Sequence, residues 1–214
     1  MKFTSVERPA RQDRRPRRAP RRVPALTRPR LVAAATELFA EHGLHAVTSA
    51  QIARRAGLAT GTFYLYFADK LELFRAIVFE ALGELRARQD AAGARHASGS
   101  REEIAARTEE FLDFAEEKRA LMRVLFARSA EAAGIADEVV GVIAPAIERR
   151  YQALQAAGAM ARDIHAGVAA QMRAAALVRI AAWWTEDPSR AKRAEVARTL
   201  LRLDPGAHAP AENP

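Results

Sequence analysis

The stretch TSAQIARRAGLATGTFYLYFADK, Thr48 to Lys70, constrains the fold more than any other part of the chain. Thr48 followed three residues later by Gln51 forms a capping box, in which a hydroxyl and an amide satisfy the free N–H groups at a helix start. Ile52, Ala53 and Ala56 give the helix that follows one small apolar face. Gly57 ends it, because glycine accepts the left-handed backbone of a helix C-terminus, and Leu58 seals the corner. Thr60 is placed to cap a second short helix, Gly61 to Phe67, and Asp69 to cap a third. Two short helices around a glycine turn make a helix-turn-helix. Its second helix is the element that enters the major groove of DNA.

The flanks carry helical spacing as well. Upstream, Thr27 is read as a cap, Pro29 sits in the first turn, where its missing N–H costs nothing, and Gly43 is the stop. Leu31, Ala34, Ala35, Leu38, Phe39 and His42 share one face between them. Downstream, Leu71, Phe74, Ile77, Val78, Ala81, Leu82 and Leu85 predict a long helix from Lys70 into the low nineties. The pieces AATELFAEHG, VTSAQIARRAG and LATGTFYLYFADKLEL follow one another in that order across Thr27 to Leu73. Together they resemble the N-terminal domain of the TetR (tetracycline repressor) family of bacterial transcription regulators.

That resemblance implies an all-α fold of about nine helices, with an N-terminal three-helix DNA-binding domain and a C-terminal helical domain for effector binding and dimerisation. The corresponding segments are 1–26 as a disordered basic arm, 27–72 as the head, 73–203 as the effector and dimerisation domain and 204–214 as a tail. It assigns DNA contacts to Arg28, Thr48, Ser49, Thr60, Gly61, Thr62, Tyr64, Tyr66 and Lys70. Thr60 and Gly61 would approach base edges. The hydroxyls of Thr48, Thr62, Tyr64 and Tyr66 and the ammonium of Lys70 would meet phosphates. Phe63 and Phe67 read as core. The match has departures: Ala50 and Ala59 stand where some relatives carry longer polar side chains, and Leu65 stands where an aromatic is frequent. Direct base readout is then expected to be sparse.

From Arg101 the pattern stays helical. Ile104, Thr108, Phe111, Leu112 and Phe114 mark one helix; Leu121, Met122, Leu125 and Phe126 mark the next, ending by Gly134. Ile135 to Ala157 is a third, with a kink expected at Pro145 and Gly158 closing it. Ile164, Val168, Met172, Leu177, Ile180 and Trp184 mark a long helix ended by Asp187 and Pro188, and Ala191, Ala194, Ala197, Leu200 and Leu201 the last. The polar run 91–100 reads as the loop between domains.

The last two helices resemble the family's dimerisation pair, which assigns the interface to Met172, Leu177, Trp183, Ala191, Ala194, Ala197, Leu200 and Leu201. Neighbouring tryptophans on a helix lie ~100° apart, so one of Trp183 and Trp184 faces the interface and the other the interior; the sequence leaves open which. An effector pocket would take Phe111, Phe114, Met122, Phe126 and Trp184 as apolar lining, with Arg123, His165 and Arg179 as polar groups. Ordinary core is the competing reading for each apolar member.

Charge narrows the function further. The chain carries +8 in 214 residues, yet residues 1–30 alone hold Lys2 and ten arginines against Glu7 and Asp13. The high pI therefore describes the N-terminal segment. That segment is either an arm on DNA, bound by counterion release, or a solvated leader. There is no cysteine, which excludes disulfides and thiolate metal sites. The apolar run 174–184 is interrupted by Arg179 and is too short for a membrane span of ~20 residues. A cytoplasmic protein without cofactor, metal or membrane partner is expected. The five histidines gather with no acidic cluster at metal-like spacing, and no Gly-rich phosphate loop is present, so an enzyme has little behind it. The expectation is a homodimer that binds double-stranded DNA at a palindromic operator, acts as a repressor and is released by a small hydrophobic or aromatic effector. The alternative is an architectural DNA binder without a ligand switch, which a filled helical core would favour.

Overall fold

The structure, a computed structural model, describes residues 26–126 and 130–207. Within them the chain is helical: α1 (Thr27–Ala46), α2 (Ser49–Arg55), α3 (Thr60–Phe63), α4 (Lys70–Gly93), α5 (Arg101–Glu117), α6 (Arg119–Leu125), α7 (Ala130–Ala156), α8 (Ala166–Glu186) and α9 (Arg193–Arg202), with 3₁₀ turns at Pro188–Arg190 and Pro205–Ala207. Residues 1–25 and 208–214, where the sequence predicts a basic arm and most of a tail, lie outside the described residues.

Local chemistry accounts for most boundaries. The Thr48–Gln51 capping box forms in both directions, and the Asp69 carboxylate accepts the N–H groups of Leu71 and Glu72 at 2.8 Å each. Ser100 caps α5. Gly43, at φ 77°, breaks the helical geometry of α1 before its last turn, and Gly57, at φ 67°, makes the corner between α2 and α3. These are backbone angles that only glycine adopts at little cost.

Several boundaries differ from the sequence reading. Leu26, not Thr27, is the N-cap of α1, and Thr27 is buried. Thr60 opens α3 from inside, with Ala59 as the cap. Beyond Phe63 the chain turns on the tighter bonds Leu65 N to Thr62 O and Tyr66 N to Phe63 O, so the recognition element is one α-turn extended by 3₁₀ geometry. α7 begins at Ala130, includes Gly134 and runs as helix through Pro145. Ala191 precedes α9 in extended backbone. Asp204 to Ala207 is not a loose tail. The Asp204 carboxylate is buried, accepts the Tyr151 hydroxyl at 2.9 Å and the Gly206 N–H at 3.0 Å, and pairs with Arg173 at 3.3 Å. Burial, with that carboxylate beside it, raises the Tyr151 phenol well above its usual range, so it stays a donor.

The head core of Leu31, Leu38, Ile52, Phe63, Leu73 and Phe74 continues without a break into Val124 and Leu125 of α6 and Ile135 and Val139 of α7. A second cluster joins Phe111, Leu112 and Ala115 to Ala181, Trp184, Val196 and Leu200. A third lies around Tyr151, Leu154 and Met160. α4 belongs to both ends: Leu73, Phe74, Ile77 and Val78 sit in the head core, while Leu85 packs on the second cluster. A division after residue 72 therefore passes through packed structure.

Candidate nucleic-acid interface and the α8–α9 groove

The helix-turn-helix is fastened from α1. Arg30 donates to the Ala56 carbonyl at the end of α2, and Arg55 of α2 bridges Glu37 and Glu41 of α1, at 3.1 Å to each. The Arg55 guanidinium, hydrogen-bonded to Glu41, holds that carboxyl below its ordinary range. Neither arginine was singled out from the sequence. Glu37 and Glu41 at i, i+4 are a visible signal of a carboxylate pair on one helix face, but only the tertiary fold shows which cation they meet.

On the outer side, Thr48, Thr60, Gly61 and Tyr64 are exposed, and Ser49, Thr62 and Tyr66 half-buried. Leu65 is 69% exposed and Tyr64 57%, while Phe63 and Phe67 are buried as the sequence reading has them. A Cβ built on Gly61 would meet nothing within 4 Å. No packing within the described residues therefore calls for glycine there, and glycine in a helix costs about 0.5–1 kcal/mol relative to alanine. Lys70 is half-buried, and its ammonium donates to the carbonyls of Leu44 (2.8 Å) and His45 (3.1 Å) at the end of α1. Arg28 pairs with Glu80 and lies over the Phe67 ring, 5.6 Å from its centroid. The predicted contact residues are thus exposed or half-buried, and the two cations among them, Arg28 and Lys70, already have protein partners.

The expected effector residues are dispersed among the described residues, and none of them lines the concavity along α8 and α9. Phe111 and Trp184 are buried in the second cluster, with Met122 packed against it, and the Trp184 indole N–H donates to the Ala191 carbonyl at 3.0 Å. Phe114 is buried, with Arg88 and Lys118 cations 5.9 and 5.7 Å from its ring centroid. Phe126 packs on the head core. Arg123 is exposed and reaches the Ala40 carbonyl of α1 at 3.4 Å; His165 caps α8 through Nδ1, which accepts from Val168 N; Arg179 is exposed.

A concavity of about 870 Å³ lies elsewhere, along α8, α9 and the turn after it, and is lined mainly by apolar groups including Met172, Ile180, Trp183, Val196, Leu200 and Leu203. Of the expected interface residues, Met172, Trp183, Ala191 and Leu200 line it. Leu177 and Ala197 pack against the second cluster, Leu201 is half-buried and Ala194 exposed. The tryptophan question left by the sequence is resolved: Trp184 faces the interior, and Trp183 faces the groove with Arg190 over its ring. Among the described residues no group of three or more His, Asp or Glu could hold a metal ion, and no helix is long and apolar enough to cross a membrane.

Residues 31–77 match the family described as bacterial regulatory proteins, tetR family. The HTH-type transcriptional activator FasR of Mycolicibacterium smegmatis is 34% identical over 124 residues, which is 56% of this chain and 53% of that protein. The chain therefore spans about half the length of that relative. The fatty acid metabolism regulator protein of Bacillus subtilis is 37% identical over 60 residues, 28% of this chain and 31% of that one. Among solved structures, a fatty acid degradation regulator, FadR from Bacillus halodurans, superposes with a TM-score of 0.73 at 19% identity, covering 86% of this chain and 97% of that one. FadR from Bacillus subtilis in complex with stearoyl-CoA gives 0.69 at 21% identity over 84% and 98%. At these identities the superpositions establish the fold.

Proposed function

Since the chain belongs to the TetR family of bacterial transcription regulators, we propose that it works as a homodimeric repressor that occupies a palindromic operator and leaves it when a small apolar effector binds. The observation that carries the DNA-reading half is Gly61. It opens α3, is exposed and has no neighbour that would exclude a side chain. An approaching base edge is the neighbour that would. Thr60 and Thr62 beside it supply hydroxyls for a base or phosphate, and Tyr64 and Leu65 stand out from the same end.

The dimer half rests on the α8–α9 groove. Its apolar lining includes Met172, 68% exposed, and Leu203, 73% exposed. A second copy related by two-fold symmetry would cover the same patch on both chains. Two heads so joined present two recognition elements to half-sites about 34 Å apart or a multiple of that.

For the switch, the shared core supplies a route. Val124, Leu125, Ile135 and Val139 pack directly on the head, so a ligand that prefers one placement of α6 and α7 also biases the heads. The acyl-CoA bound to one solved relative makes stearoyl-CoA the first probe. A second reading, an architectural DNA binder without a switch, draws support from the burial of Phe111, Phe114 and Trp184 in packed core.

The test is fluorescence anisotropy of the purified protein on DNA flanking its own gene, against a scrambled duplex, followed by stearoyl-CoA titration of the complex. Selective binding, a palindromic footprint and release by the acyl-CoA support the switch. Selective binding that no apolar probe relieves favours the second reading, and equal binding to both duplexes defeats the operator. A reporter that rises when the gene is deleted gives repression; one that falls gives activation.

A further inference from the structure

We propose that Tyr151, Arg173 and Asp204 are positioning residues for assembly: an internal clasp that sets the wall of the α8–α9 groove on which a second copy of the chain seats. The proposal rests on the reading of that groove as the dimer surface.

The clasp joins three helices behind the groove. Tyr151 of α7 is fully buried, and its hydroxyl donates to Asp204 Oδ1 at 2.9 Å. The same oxygen accepts the Gly206 N–H at 3.0 Å, while Oδ2 faces Arg173 Nε of α8 at 3.3 Å. Arg173 also donates through Nη1 to the Leu200 carbonyl, in the last turn of α9, at 2.8 Å. One guanidinium therefore closes the end of α9 and holds the turn that follows it. The Arg173 and Asp204 side chains are each 10% exposed, so the pair is largely out of water. A Cβ on Gly206 would come within 2.9 Å of Leu154 and 3.3 Å of the Tyr151 ring, so the turn lies close against α7.

The residues on either side of this carboxylate face the other way. Leu203 and Pro205 line the groove, whereas Asp204 between them is buried. Leu200 and Arg202 line it as well, and Arg173 reaches it from α8. Leu203 is the most exposed large apolar side chain among the described residues. With so much of its surface in water it has little packing of its own to fix it, and its place is set by the backbone that Asp204 holds.

Apolar contact alone would let such a turn slide, because burial has no preferred direction. Hydrogen bonds to charged groups do have one. A buried ion pair is a poor source of stability, since desolvation offsets the attraction; what it supplies here is a single geometry. A self-complementary surface needs that, because in a two-fold pair every displaced residue is displaced twice.

The experiment measures self-association of the full chain by sedimentation at graded concentrations, with helix content followed by circular dichroism. Asp204→Asn sets an amide where the carboxylate meets Arg173, and should raise the dimer dissociation constant about 10- to 100-fold with helix content kept. Tyr151→Phe keeps the ring and removes one hydroxyl. A rise of about 3- to 10-fold is expected, and this variant carries the test should the asparagine variant lose helix. Leu203→Ala should weaken the parent dimer about tenfold. It should weaken the Asp204→Asn dimer by about twofold or less, because a wall already released has little left to lose. That non-additivity belongs to positioning and not to folding stability. Val78→Ala, in the buried head core, should lower stability and leave assembly at the parent value. A dimer unaffected by Asp204→Asn and Tyr151→Phe overturns the clasp and leaves the dimer reading standing. So does a Leu203→Ala effect that adds in full to that of Asp204→Asn. A parent that stays monomeric at every concentration defeats the dimer reading itself, and the clasp with it.

Discussion

The two working faces of this molecule are finished to different degrees. In the head, Leu31, Ile52, Phe63, Leu73 and Phe74 are fully buried, and the proposed reading end exposes Tyr64 and Leu65 beside small polar side chains. Along α8 and α9 the reverse holds: Met172 and Leu203 are more than half exposed around an open apolar groove. A polyanionic duplex offers little apolar surface to bury, so a head built for it can close its core completely. An apolar groove left open on a single chain is stabilised by a partner that brings apolar surface of its own. On the proposed reading, the contrast separates a surface that DNA would complete from one that a second copy of the chain would complete.

The largest expected effect breaks the closed side. Phe74 is fully buried and packs edge-to-face on Phe39, with ring centroids 5.5 Å apart. Phe74→Ala should cost about 3–5 kcal/mol. Because that core runs on into α6 and α7, calorimetry should show one lowered transition for the whole chain. A head that melts separately, with the remainder unchanged, would contradict the shared core.

The open side should respond through assembly. Trp183→Ala should weaken the proposed dimer by about 2–3 kcal/mol, as large aromatic anchors at interfaces do. Sedimentation at graded concentrations reads this as a shift toward monomer with helix content kept. Its neighbour gives the control. Trp184 is 2% exposed and hydrogen-bonded, so Trp184→Ala should lower folding stability itself. Equal behaviour of the two variants would remove the distinction between groove and core.

How legible this was in the sequence follows from the range of the interactions. The capping box at Thr48, the turn at Gly57, the Asp69 cap and the buried faces of Phe63 and Phe67 are local, set by residues within one or two turns, and the structure has them where spacing put them. The head's tertiary fasteners were not legible. Arg30 and Arg55 reach across 26 and 14 or 18 residues, and nothing in their own neighbourhood marks them. The apolar stripe of the C-terminal helices was visible as a stripe, but a stripe does not say whether it meets core or a cavity. Phe111 and Trp184 went to core, whereas the concavity formed where Met172 and Trp183 face outward. Asp204 looked like the start of a tail because its partners, Tyr151 and Arg173, lie far away in sequence.

A smaller effect tests the end of the bundle between these faces. The Glu103 carboxylate is 6% exposed, accepts the Gly99 N–H at 2.6 Å and pairs with Arg107 and Arg150 at 2.9 Å each. Burial pushes its pKa up, but the Gly99 N–H and the two guanidiniums outweigh burial and hold it below the usual range. A depressed carboxylate contributes stability that is complete above the unfolded-state value and is lost as pH falls through the folded one. Glu103→Gln should therefore cost about 1–3 kcal/mol at neutral pH, and the gap from the parent should close on acidification below about pH 4. A gap constant down to pH 3 would mean that packing, not charge, holds α5 there.

The smallest effect on stability sharpens the comparison most, because stability and binding should move in opposite directions. Gly61→Ala adds a methyl group into open space at the start of α3. It replaces a poor helix former by the best one, so unfolding should become harder by up to about 1 kcal/mol. The same methyl would stand between α3 and a base edge. Selective affinity for the operator should then fall about tenfold, roughly 1.4 kcal/mol, while the steep salt dependence of binding to a scrambled duplex stays as it was. A trade of this sign places the reason for the glycine outside the protein, on a partner that comes close to backbone. An alanine variant that is more stable and binds its operator as before would put the base-reading edge elsewhere on the head, with Tyr64 and Leu65 the next residues to change.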